Sequence, residues 1–270
     1  MDYTVSPALQ AILALLVGNL ATLRGVLAGT LRAQELRPDL NSLDIDALNL
    51  VIARSASRLT ALASMLTERR LRQLEGLLPR TRAQLEGEFS SFWQMYLESR
   101  ETSGIPRPTD EARAFANFLL RHLERGSHQA AIVRCELLRC EVAHELTRRA
   151  ETLTQVAPLY AAVQVRTSPL VRIERFSEAI YRLMASGSPR VVDPCVPACL
   201  VFHPTAATGL QVSITRISEK LADILLGTPQ YVPVSQLCAS MSVSVEAALV
   251  ALQRLVEAHI LEVRHAVESV

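Results

Sequence analysis

The side chains able to do chemistry in this chain are five cysteines, six histidines and a dense run of arginines. Cys195 and Cys199 flank Pro197 in a Cys-x3-Cys pair whose spacing occurs in zinc sites, but no second pair of ligands with matching spacing follows it. The pair reads as a metal site, a redox pair or two buried thiols, with the last favoured. Cys135, Cys140 and His144 fall on one predicted helix, and their i, i+5, i+9 spacing spreads them around the cylinder instead of presenting one ligand face. Cys238 reads as a small apolar side chain in a short helix. Serine, histidine and carboxylate residues occur throughout, but no Gly-x-Ser-x-Gly turn and no glycine-rich phosphate loop organises them. No residue is therefore assigned a catalytic or metal-binding role. His203, beside Pro204, is the histidine best placed to face a partner's active site, and it reads first as a solvated turn residue. Arg69, Arg70, Arg72, Arg80 and Arg82 read as a solvated helix face, with docking to an acidic partner as the alternative.

The elements that would position these residues follow from composition and period. The 270 residues, 49% hydrophobic and 20% charged, suffice for two domains. With 28 basic against 27 acidic side chains, the chain has no net field to draw in nucleic acid or an anionic membrane. Aromatics are 4% of residues and Ala and Leu dominate, which favours packed helices over stacked sheets. An odd number of cysteines points to reduced thiols in a cytoplasmic setting. The apolar run at 9–16 follows Asp2 instead of a basic segment, and it is too short to span a bilayer.

Apolar residues from Leu9 to Leu31 recur every three or four positions and predict one long helix ended by Pro38. A second helix is expected from Asp44 or Asp46 and carries Leu48, Ile52, Leu59 and Leu66 on one face. Further helices are expected around Leu85 to Ser99, from Thr109 or Asp110 to Gly126, and from Ser127 to about Val156. From about Pro158 the pattern alternates: 163–166, 170–174, 199–202 and 210–215 read as strands. Three helices then follow, at 218–226, 233–240 and 244–258, with a short strand at 260–263. The expected fold is mainly α with a small β-sheet (α+β), divided into a helical domain at 1–157 and a winged-helix-like domain at 158–270.

A winged helix can read DNA or accept a peptide. The exposed positions predicted for its last helix, Glu246, Ala247, Val250, Gln253, Arg254 and Glu257, give one cation against two anions, which suits phosphate contact poorly. A winged-helix transcription regulator stands as the alternative. Peptide capture would add an extended segment to the strand formed by Leu210, Gln211, Val212, Ser213, Ile214, Thr215 and Arg216, beside a groove walled by the helix carrying Ala248 and Leu252. Val212, Ile214, Ala248 and Leu252 also read individually as plain core.

The stretch 49–98, the run Phe115-Ala116-Asn117-Phe118-Leu119 and the helix containing Glu136 resemble the helical domain of partner subunits of multinuclear non-haem iron-dependent oxidases. The run Ala198-Cys199-Leu200-Val201-Phe202-His203, then Val212-Ser213-Ile214 and the three-helix tail, is similar to the precursor-recognition domain of that family. Length and helix content are most like the partner in the 3-thiaglutamate pathway, with methanobactin-type partners as the nearest competitor. The resemblance implies a non-catalytic subunit that forms a heterodimer with an iron oxidase and holds a ribosomal precursor or carrier peptide for modification of a cysteine. It implies no cofactor in this chain, the iron belonging to the partner, and neither nucleic acid nor membrane as a partner.

Overall fold

The structure, a computed structural model, describes residues 6–99, 106–148, 159, 163–186, 196–205, 211–241 and 243–264. The chain divides into two compact units, 1–122 and 123–270.

In the first unit the long helix expected from the leucine stripe is two helices, α1 (Pro7–Gly18) and α2 (Leu20–Leu27), bent by 109° at Asn19. Asn19 has extended backbone, and its carboxamide oxygen accepts from the amides of Ala21 and Thr22, so it ends one helix and caps the next. A periodic stripe does not reveal such a break, because the leucines on either side still face one core. A short helix, α3 (Ala33–Leu36), leads to α4 (Ser42–Leu77), which starts with a capping box between Asn41 and Asp44 and is kinked at Ser55. Pro79 opens α5 (Pro79–Leu85), followed by α6 (Glu88–Glu98) and α7 (Pro108–His122). Phe89, Trp93 and Tyr96 of α6 meet Phe115 of α7 with ring centroids 5.3 to 5.6 Å apart and close to edge-on geometry.

Arg70 corrects the reading of the arginine run as solvated: it is 4% exposed. Its guanidinium forms a two-nitrogen ion pair with buried Glu111 in the first turn of α7, and donates to the Gly18 carbonyl at the end of α1. It also lies 5.3 Å from the centre of the Trp93 ring. One side chain thus joins α1, α4, α6 and α7. Elsewhere in the run, Arg72 pairs with Glu68 and Arg82 with Glu75 on exposed surface.

The second unit begins with α8 (His128–Arg148). A three-stranded antiparallel sheet holds β2 (Arg172–Ser177), β3 (Pro197–Pro204) and β4 (Val212–Ile217) in that order. A helix missed by the sequence reading, α9 (Glu178–Ser186), follows β2, and with α8 it covers one sheet face around Leu200, Phe202, Ile132 and Leu138. The helices α10 (Glu219–Leu226), α11 (Val234–Met241) and α12 (Val245–Glu257) enclose a second core, to which the other sheet face contributes Val201, Ile173 and Ile217. A second sheet, in the order β5 (Val232–Pro233), β1 (Gln164–Thr167), β6 (Leu261–Arg264), borders that core with Val165 and Leu261.

The architecture is mainly α with small antiparallel sheets, an α+β fold. The expected boundary between 157 and 158 lies outside the described residues. The division observed is between His122 and Leu123, and α8 belongs with the second unit because its apolar face, including Ile132, Cys135, Leu138 and Val142, packs on β3.

Breaking the buried pair leaves one charge uncompensated, so Arg70→Ala is expected to cost about 3–5 kcal/mol in urea unfolding. The double replacement Arg70→Met with Glu111→Leu removes both charges and is expected to recover most of that loss.

Candidate functional site

Residues Val212, Ser213, Ile214 and Thr215 alternate apolar and hydroxyl side chains, the pattern of a strand with two unlike faces. The structure forms this strand as β4 and, among the described residues, pairs it with β3 alone, in antiparallel register with Val201 opposite Thr215 and Phe202 opposite Ile214. The Thr205 amide donates to the Gln211 carbonyl at 2.8 Å, which marks that pair as hydrogen-bonded. Hydrogen-bonded pairs alternate along an antiparallel ladder, so Ser213, Thr215 and Ile217 turn their main-chain groups toward β3. Val212, Ile214 and Arg216 turn theirs outward, where no described residue meets them. The Thr205 and Ser213 hydroxyls, 2.7 Å apart, continue the hairpin beyond the strand.

The two faces of β4 differ. Val212 and Ile214 pack against the core under α8 and α9, whereas Ser213 and Thr215 share the opposite face with His203. His203 is not a solvated turn residue: it is 6% exposed and sits in β3. Its Nδ1 lies 2.9 Å from the carbonyl of Ala258, which caps α12, and 3.0 Å from that of Pro204. Both are acceptors, so Nδ1 carries the ring proton and Nε2 accepts from the Thr215 hydroxyl at 2.8 Å. The imidazole thereby fixes the end of α12 beside β3 and the edge strand.

Arg216 of β4 is held by Glu178, the buried first residue of α9, at 2.9 Å, and Arg182 reaches the same carboxylate at 3.2 Å. Glu178 was not among the expected site residues, because no helix was expected at 178–186. A strand reading straight into an amphipathic nine-residue segment, 178–186, was the signal available.

Of the residues assigned to peptide binding, Leu210 lies outside the described residues. Val212 through Arg216 lie in the edge strand β4, and Gln211 precedes it, its carbonyl accepting from the Thr205 amide. Ala248 and Leu252 do not join them: both are fully buried in the core with Val165, Leu225 and Val256, and they present no surface to a ligand. What α12 exposes instead includes Val245 and Val250.

The second edge of this sheet, β2, differs from β4 in its chemistry. Its charged residues are already matched: Glu174 with Arg134, Arg172 with Glu141 and Arg175 with Asp223. Such charges protect an edge against strand addition. On β4 the positions ahead of Arg216 are uncharged.

Cys135, Cys140, Cys199 and Cys238 are buried and unbridged, and burial pushes the Cys135 and Cys238 thiols upward from their ordinary value. Cys195 lies outside the described residues. Among those described, no group of three or more His, Cys, Asp or Glu is placed to hold a metal, and no single helix is long and apolar enough to cross a membrane. In comparisons with known proteins, no family model and no curated protein matches this chain.

Burial holds the His203 pKa below its ordinary 6.5, against the hydrogen bonds to Pro204 and Ala258 that favour its charged form. The unfolded chain therefore binds this proton more readily than the folded one. The contribution of His203 to stability is full above pH 6.5 and declines as pH falls through 6.5 toward the lower folded value. Denaturant unfolding across that window is expected to show the decline, and His203→Gln is expected to flatten it.

Proposed function

We propose that this chain is a peptide-capturing subunit whose edge strand β4 accepts an extended segment of another polypeptide. The observation that carries the reading is the row of outward main-chain groups at Val212, Ile214 and Arg216, with no charged side chain before the last of them. Strand addition needs this: unpaired amides and carbonyls give affinity, and alternate side chains give selectivity.

The order of elements in the second unit supports the same reading. The succession α10, β5, α11, α12, β6 reads as a winged helix whose sheet takes its central strand, β1, from upstream. His203 sets the end of α12 near β4, on the face of the strand that carries Ser213 and Thr215. A DNA reading gains less support, because Glu246 and Glu257 stand on the exposed face of α12 with Arg254.

The resemblance described above extends the proposal. This subunit would pair with an iron-dependent oxidase of the multinuclear type, hold its precursor or carrier peptide by the leader region, and leave the chemistry on a peptide cysteine to the enzyme. Its contribution is effective concentration, since tethering the leader makes the reacting end intramolecular with respect to the partner's metal site. The helical unit is the proposed enzyme-docking part. On α4 it exposes Leu43, Leu50 and Met65, of which Leu43 is 78% exposed.

Proline at an outward-facing amide of an edge strand removes the acceptor's donor without breaking the native ladder. Val212→Pro is expected to weaken binding of the cognate peptide by about tenfold or more, the loss of about one well-made hydrogen bond. Its circular dichroism and melting temperature are expected to stay near those of the parent. Unchanged peptide affinity in a folded Val212→Pro protein would count against strand addition at β4. Copurification with the oxidase, and loss of turnover when this subunit is omitted, test the wider assignment.

A further inference from the structure

The residue that ends the uncharged row of β4 is also its one positively charged side chain. Arg216 is 46% exposed, and its single described partner is Glu178. That carboxylate is shared with Arg182, so its one negative charge is divided between two guanidinium groups and Arg216 is only partly neutralised. A guanidinium presents five N–H donors, and its contact with Glu178 is made at Nη1, 2.9 Å from Oε2. Asp223 and Glu219 act on Arg175, whose register with Cys199 and Ile217 places it on the opposite face of the sheet, and Glu174, in the same cross-strand row as Arg216, is paired with Arg134. Leu200 lies opposite Arg216, Phe202 opposite Ile214 and Pro204 opposite Val212, so the three outward-bonding residues share one face.

A strand added along β4 sets alternate side chains beside Val212, Ile214 and Arg216, and the intervening ones beside Ser213 and Thr215. We propose that the edge selects a peptide segment with two apolar residues at alternate positions, followed or preceded at the next alternate position by an acidic residue that pairs with Arg216. The inference rests on the strand-addition reading above and specifies its ligand. Small or polar residues fit between, against the two hydroxyls. The order of the motif reports direction: acid first for an antiparallel strand, acid last for a parallel one. The β2 edge cannot make the same selection, because its arginines, Arg172 and Arg175, each face a carboxylate of their own.

Random dodecapeptides displayed and selected on the full-length chain provide the test. Selected sequences are synthesised, their Kd measured, and amide exchange followed at Val212, Ile214 and Arg216. The expected result is enrichment of the apolar-x-apolar-x-acid pattern in one order, protection of those amides, and about tenfold weaker binding when the acid is replaced by its amide. Selection on Arg216→Glu is expected to exchange the acidic preference for a basic one. The acid-to-amide comparison uses the unaltered protein, so it stands even if that variant folds poorly. Peptides that protect the β4 amides yet bind within twofold after the acid is replaced would overturn the inference and leave strand addition intact. Peptides that bind without protecting β4, or no enrichment at all, would overturn strand addition itself.

Discussion

Strand β3 is buried on both faces, and this requirement governs the second unit. Ala198, Leu200 and Phe202 look toward α8 and α9, while Val201 looks into the core of α10, α11 and α12. Each such side chain contributes roughly 1.5–3 kcal/mol on burial, which requires helices on both faces and favours a central place for this strand in its sheet. Once β3 is central in a sheet of three, its neighbours are edges by necessity. The open edge at β4 is thus a consequence of the core, and its chemistry is what distinguishes it from β2.

Edges are ordinarily defended, and β2 shows the ordinary device, with Glu174, Arg172 and Arg175 set along it in matched pairs. Strand β4 carries no charge from Val212 to Thr215. Among the described residues its outward main-chain groups are unpaired and are flanked by half-buried valine and isoleucine. The buried imidazole of His203 and the carboxylate of Glu178 are both tied to this strand, one on each face. Its position is therefore fixed by contacts on both faces.

The first unit is organised by buried polar contacts as well as by its aromatic cluster. Asn19 turns the chain between α1 and α2, and its amide nitrogen donates to the Leu97 carbonyl of α6, 3.2 Å away. Arg70 answers the terminal carbonyl of α1 and the carboxylate of Glu111 together. Apolar packing alone tolerates many relative arrangements of leucine-rich helices. A buried arginine with three obligatory partners tolerates few, because any other arrangement strands a charge.

The sequence by itself determined the element types: helical periods up to about residue 148, alternation at β1 to β4, and the serine caps of α10 and α12. These are local properties, set by side-chain period and by which residue can satisfy a free amide. It also determined the alternation of apolar and hydroxyl residues along β4. Tertiary structure decided the rest. The break at Asn19, the burial of Arg70, the helix carrying Glu178 and the inaccessibility of Ala248 and Leu252 depend on partners far along the chain, and a leucine or arginine looks the same in sequence whether or not such a partner exists. That β4 is an edge was likewise beyond the sequence, because strand order is fixed by which strand the two cores need to bury, and that is a property of the assembled unit.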